Sequence, residues 1–247
     1  MPACMADRDG IAYFDCASGA SGEMFIGALV DAGLLEADLR DILAPLQRAG
    51  ASFEVTVRPV AKGPVAATEV VIGGQARDVE ARLPDMIAVI GSAQLAGDVA
   101  ARATAVLRRL AAEEARLAGE RADDHVFDGT RGVDAIVCAV GVVGALASLG
   151  IGTVLASPVN VGRPEPVVAS LLALAPTYED SPGVPLVTPL GAALLAELVG
   201  EWPASPPFAG GQIGHGAGAR DLPKPNVMRC FLGYGTISGA THQTRPE

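Results

Sequence analysis

AIVCAVGVVGALASLGIGTVLASPVNVG, residues 135–162, contains no charged side chain. A run of that length exceeds the ~20 residues that cross a bilayer. Gly150 and Gly152 divide it, however, into an apolar part long enough for a core helix and a short β-like part at 153–156, with Pro158 and Asn160 beyond. Aromatic belts and a cluster of basic residues at one end are missing. The stretch therefore reads as a buried helix, capped by Asp134, that runs directly into a buried strand. A helix feeding a strand in this way is the unit of an α/β domain.

Upstream, residues 11–14 form a short apolar strand that ends at Asp15 and enters the loop CASGASG. A helix over 23–32 follows, closed by Gly33. A second helix covers 36–48, shortened by Pro45 and ended by Gly50. Strands at 53–57 and 69–72 flank a Lys62-Gly63-Pro64 turn and predict an antiparallel hairpin. Asp98 is placed to cap a long helix with Val99, Val106, Leu107, Leu110 and Leu117 on one face; Arg102, Arg108, Arg109, Glu113, Glu114 and Arg116 form its solvated face.

Downstream, Thr188 and Pro189 precede LGAALLAELVG as N-cap and first helical residue, with Gly200 at the end. A Pro-rich linker (202–208), a Gly-rich loop (210–218) and a final strand (227–232) complete the chain. Alternating helices and strands that include a hairpin predict an α/β (α+β) fold, a mixed β-sheet with flanking helices. One domain is expected over residues 1–247, with disordered ends at about 1–9 and 236–247.

The formal charge of −10 disfavours nucleic acid and anionic membrane surfaces as partners. The opening MPACMADRDG has neither a basic n-region nor an apolar h-region, so a cytoplasmic protein is expected. Cys4, Cys16, Cys138 and Cys230 are widely spaced, which fits neither a zinc site nor a disulfide framework.

Three segments carry possible chemistry. In FDCASGASGEM, Ser18, Gly19, Ser21 and Gly22 join a strand to a helix, where glycines permit close backbone approach and free N–H groups favour an anion. The alternative is a tight turn capped by Ser21; no G-x-x-x-x-G-K is present, so Walker A chemistry is not supported. In GQIGHGAGARDLPKPN, Arg220 and Lys224 can hold a carboxylate or phosphate and His215 can transfer a proton, or the segment is a surface loop with a lone histidine. HVFDGTRGVD offers His125 and Asp128 for acid/base work, with Arg131 neutralising nearby acids and Asp134 as the helix cap; one histidine does not complete a metal site.

Taken together, these segments resemble the LarC family of nickel-pincer cofactor insertion proteins. FDCASGASGEMFIGALVDAG is similar to its FDC-x-SG-x-SGDM-x-x-GAL-x-D-x-G motif, with Glu23 in place of Asp. VDAIVCAVG, SPVNVG, LVTPLGAALLAEL and GHGAGARDLPKPNVMRCFLG resemble four further family segments in the family's order, with Leu190 replacing Thr and His215 replacing Tyr. Departures occur where the family is rich in histidine: ARDVEARLPDM has none, and HVFDGTRGVD has one where the family has two. The resemblance covers about residues 11 to 235, without the C-terminal domain that holds the family's CTP site.

The resemblance implies binding of a pyridinium mononucleotide and insertion of nickel into it, with CTP chemistry on a separate part or partner. Three readings stay open: cofactor assembly of this kind; a metal-independent acid/base enzyme such as a cyclase, lyase or isomerase; and a non-catalytic binding or scaffold protein. Asp15, Glu23, His125 and Asp128 are the catalytic candidates; Ser18, Gly19, Ser21, Gly22, Thr188, His215 and Arg220 are the ligand-binding ones. The expected partner is a small, anionic molecule, and a homo-oligomer is compatible with the sequence. Nickel follows only from the resemblance, and with three histidines in separate segments a tight nickel site is not expected.

Overall fold

β1 (Gly10–Asp15) is a buried apolar strand, and the loop after it delivers the chain into α1 (Gly22–Asp31) and then α2 (Glu36–Arg48). The computed structural model describes residues 10–73, 81–127, 130–180, 183–208 and 211–234. Next come the hairpin β2 (Glu54–Lys62) and β3 (Val65–Gly73), then β4 (Ala81–Arg82), α3 (Leu83–Ser92) and α4 (Val99–Ala118). A short 3-10 turn (Ala122–Asp124) and β5 (Val126–Phe127) lead to α5 (Thr130–Ser148), which runs into β6 (Ile151–Ala156). The remainder is β7 (Val159–Asn160), α6 (Pro166–Leu171), β8 (Thr177–Tyr178), α7 (Pro189–Leu198), β9 (Gln212–Ala217) and β10 (Val227–Tyr234).

The main sheet has the order β2-β3-β9-β10-β1-β6. β1 is parallel to β6 and β3 to β9, while the other neighbours are antiparallel, so the sheet is mixed. α1 lies across β3, β9 and β10, and α5 packs against α1, α2 and α4. Residues 131–148 of α5 meet the length and composition of a membrane span, yet 72% of that window is buried by protein, which makes α5 a core helix. Its Val137, Cys138, Ala139 and Val140 are fully enclosed.

Five local expectations change. The Gly-rich segment 210–218 is no loop: residues 212–217 form β9, with residue 210 outside the described set. A Cβ on Gly216 would stand 1.9 Å from the Met24 carbonyl oxygen, and one on Gly214 2.1 Å from that of Ala28. The glycines therefore let α1 sit directly on the strand. Asp134 is not a cap, because α5 begins at Thr130 and places it in the second turn. Pro45 lies inside α2 without shortening it, and Leu117 of α4 is 44% exposed instead of sharing the buried face. Asp98 occupies the N-cap position of α4, but its side chain makes no cap hydrogen bond. Asp128 and both chain ends, 1–9 and 235–247, lie outside the described residues.

Candidate functional site

The loop after β1 is fixed from below. The carbonyl of Cys16 accepts from Gly19 N–H at 3.0 Å and Asn160 N–H at 3.1 Å, Cys16 N–H donates to Ser157 Oγ at 2.9 Å, and Asn160 Nδ2 donates to Ala17 O at 3.0 Å. The Ser157 to Gly162 segment is thus the seat of the loop. On its other side the loop pairs with the strand-like segment before α7: Ala20 N–H donates to Leu186 O, and Thr188 N–H donates to Ala20 O. Gly19 has a φ of +89°, and a Cβ there would lie 2.0 Å from Leu186 O; a Cβ on Gly22 would lie 2.6 Å from Cys138. Both glycines admit neighbouring parts of the chain itself, a requirement the sequence had suggested would belong to a ligand.

This pairing sets two helix starts side by side. Ser21 Oγ accepts from Met24 N–H at 3.3 Å at the start of α1, and Thr188 Oγ1 accepts from Gly191 N–H at 3.0 Å at the start of α7. The caps leave the first-turn N–H groups of Gly22, Glu23 and Leu190 without partners inside their helices. The macrodipoles of both helices present their positive ends to the same place.

A cleft of about 300 Å³ opens there, lined by Ser21, Glu23, Thr188, Glu165, Arg220 and Asn226 among others. Arg220 is anchored by a 2.7 Å bond from its guanidinium to Pro185 O, and its own carbonyl accepts from Asn226 Nδ2 at 3.1 Å. Glu69, on the wall, is buried and held by Arg58 Nε at 2.6 Å. A second cleft of about 280 Å³ lies alongside, with Ala17, Ser18, Asn160, Asp180 and Lys224 in its lining; Leu186 and Leu222 line both.

The sequence model of a family described as nickel insertion protein matches residues 12–246. The chain belongs to the nickel insertion protein family. It is 34% identical over 234 residues to the pyridinium-3,5-bisthiocarboxylic acid mononucleotide nickel insertion protein of Desulfitobacterium hafniense, a match covering 90% of this chain and 58% of that one. It is 37% identical over 246 residues to the protein of the same description from Nocardioides sp., covering 92% and 61%. The chain thus spans about three fifths of the length of these relatives. No solved structure matches it.

In this nickel insertion family member, four candidates reach one cleft: Ser21, Glu23, Thr188 and Arg220. Ser18 lines the neighbouring cleft, where its hydroxyl donates to Pro225 O at 2.9 Å. Asp15 lines neither; it pairs with Arg229 and accepts from Ala17 N–H at 3.0 Å. His215 stands at the far end of α1, its Nδ1 3.4 Å from Asp31 Oδ2. A helix of that length separates it from Ser21 by roughly 14 Å at 1.5 Å per residue. His125 is placed against α4, with Nε2 2.8 Å from Glu114 Oε2 and its ring edge-on to Phe127 at 5.0 Å; it lines neither cleft.

The residue that sequence reasoning passed over is Asp134. A Cβ on Gly22 would meet Cys138, Asp134 lies one turn before Cys138 on α5, and the Glu23 carboxylate is near enough to act on the Asp134 carboxyl. Burial, and then the Glu23 carboxylate, push the Asp134 carboxyl up to about 6. The signal was present in the sequence: the VD pair of VDAIVCAVG lies in a matched family segment, and only a local capping rule had accounted for it. Among the described residues no group of three His, Cys, Asp or Glu side chains is arranged to hold a metal ion.

Proposed function

We propose that this chain binds a pyridinium mononucleotide in the cleft between the starts of α1 and α7 and takes part in inserting nickel, as cargo, into that molecule. The observation that carries the reading is the convergence of two capped helix starts and Arg220 on one cleft, in a member of a nickel insertion family. Helix starts and a guanidinium suit the anionic groups of such a ligand. Glu23, backed by Asp134, supplies carboxylate oxygen beside them, able to accept a proton or to meet an incoming divalent cation.

Calorimetric titration of the full chain with pyridinium-3,5-bisthiocarboxylic acid mononucleotide tests this. One molecule is expected to bind per chain, with at least tenfold loss of affinity in Arg220→Glu. Nickel supplied with the bound ligand is then expected to appear in it by mass spectrometry, less so with Glu23→Gln. No binding by the wild-type protein would remove the reading.

A second reading has one observation behind it. A carboxyl pushed up to about 6, with the cleft residue Glu23 acting on it, is suited to proton transfer at cellular pH, which fits a metal-independent acid/base enzyme. Conversion of a pyridinium mononucleotide or related anionic substrate without added metal, abolished by Asp134→Asn, would favour it over nickel insertion.

A further inference from the structure

The two neighbouring clefts share a wall made of Leu186 and Leu222, and one segment, residues 218–226, passes along both. That segment is not a helix or strand. It is held by side-chain bonds: Arg220 to Pro185 O at 2.7 Å, Lys62 to Asp221 at 2.9 Å, Ser18 to Pro225 O at 2.9 Å, and Lys224 to Asp180. The contacts made by its own two cations, Arg220 and Lys224, differ in kind. Arg220 lines the first cleft and is bonded there to a neutral carbonyl; Lys224 lines the second and faces a carboxylate that is itself 58% exposed.

Four residues apart, these cations stand on opposite sides of the leucine partition. An exposed ion pair such as Lys224–Asp180 gains little net stability, so the ammonium exchanges its partner readily for a ligand anion. Each cleft alone lies at or below the lower end of the ~300–1,000 Å³ range typical of small-ligand sites, and joined they fall within it.

We propose that the two clefts are the two chambers of one site, for a ligand with an anionic group at each end, one end held by Arg220 and the other by Lys224. This rests on the proposed pyridinium mononucleotide reading and narrows it: such a ligand carries a phosphate at one end and acid groups on the ring at the other. The apolar partition, Leu186 and Leu222, meets the part of the ligand between its two anionic ends, and the strap between the cations sets the distance that the ligand must span.

The test uses the full chain and two commercial probes. Nicotinic acid mononucleotide has a ring carboxylate and a distant phosphate; nicotinamide mononucleotide keeps the phosphate but has a neutral amide on the ring. Affinities are measured by calorimetry for wild type, Arg220→Met, Lys224→Met and Lys224→Arg. For the two-ended probe, Arg220→Met and Lys224→Met are each expected to weaken binding tenfold or more, and Lys224→Arg to keep it within about threefold. For the one-ended probe only the variant that removes the phosphate's cation is expected to matter. Circular dichroism on each variant separates loss of binding from loss of fold, and both side chains are exposed enough for the variants to fold. Wild-type affinity of Lys224→Met for the two-ended probe would overturn the two-chamber site while leaving a mononucleotide site in the first cleft. Failure of wild type to bind either probe or the bisthiocarboxylate ligand would remove both proposals.

Discussion

Asp134 shows how a single side chain links the fold to the site. It is half buried between α5 and the start of α1, and its carboxyl holds its proton to about 6, first because burial penalises the charge and second because Glu23 is near. The folded state therefore binds this proton more tightly than the unfolded chain. The sign follows: stability falls as pH rises from the ordinary carboxyl range to about 6 and levels off above it. Asp134→Asn removes the charge but keeps the shape. It is expected to exceed wild type in stability by about 1 kcal/mol at about pH 8, after discounting for solvent screening of a half-buried group, with little difference at about pH 4. Urea denaturation of both proteins at the two pH values measures this. Equal differences at both would show that the carboxyl titrates normally.

Among the elements, β9 has the most demanding contact. Its alternate glycines face α1, and the helix backbone occupies the space a side chain would need. Gly216→Ala is expected to destabilise the protein by about 3 kcal/mol or more, the upper end of overpacking costs, since the obstructing atoms are backbone. Gly91, in α3, has nothing within 4 Å of its missing Cβ, and Gly91→Ala is expected to stabilise by about 0.5–1 kcal/mol. Chemical denaturation of the two variants checks both signs together. Removal of the α7 cap by Thr188→Ala should cost about 1 kcal/mol in the same assay.

These elements also mark what the sequence discloses. The first strand, α2, the hairpin turn and the start of α7 follow from local chemistry: an apolar run, a terminal glycine, a Lys-Gly-Pro turn, a Thr-Pro cap. Each was legible because its cause lies within a few residues. β9 was not, because its glycines answer to α1, almost two hundred residues earlier. The same division holds for the site. Ser21 and Thr188 were found by their capping signatures, whereas the pairing that brings them together, Ala20 with Val187, belongs to tertiary structure. Asp134 was assigned to a cap by a rule that is sound locally and was overridden by a helix that starts at Thr130, four residues before it.

At the scale of the whole molecule, ionisable groups fall into separate neighbourhoods. The start of α1 and the start of α7 share the cleft; the far end of α1 carries Asp31 and His215; the α4 side carries Glu114, His125 and Arg131. His125 belongs to the last of these. Its Nε2 meets Glu114 Oε2 at 2.8 Å, Glu114 Oε1 meets Arg131 at 2.7 Å, and Nδ1 is buried 3.6 Å from Glu120. The imidazole ties the segment entering α5 to the face of α4. Substitutions at sites without shared partners act nearly independently. His125→Ala is therefore expected to lower stability by about 1–2 kcal/mol through the lost hydrogen bond and the lost contact with Phe127. Its effect on mononucleotide affinity is expected to stay within about twofold. His125→Gln, which keeps a donor for Glu114, should recover part of the stability. Urea denaturation and calorimetry on the three proteins decide the matter. A His125→Ala protein as stable as wild type but unable to bind the mononucleotide would bring His125 to the ligand and move the site toward α4.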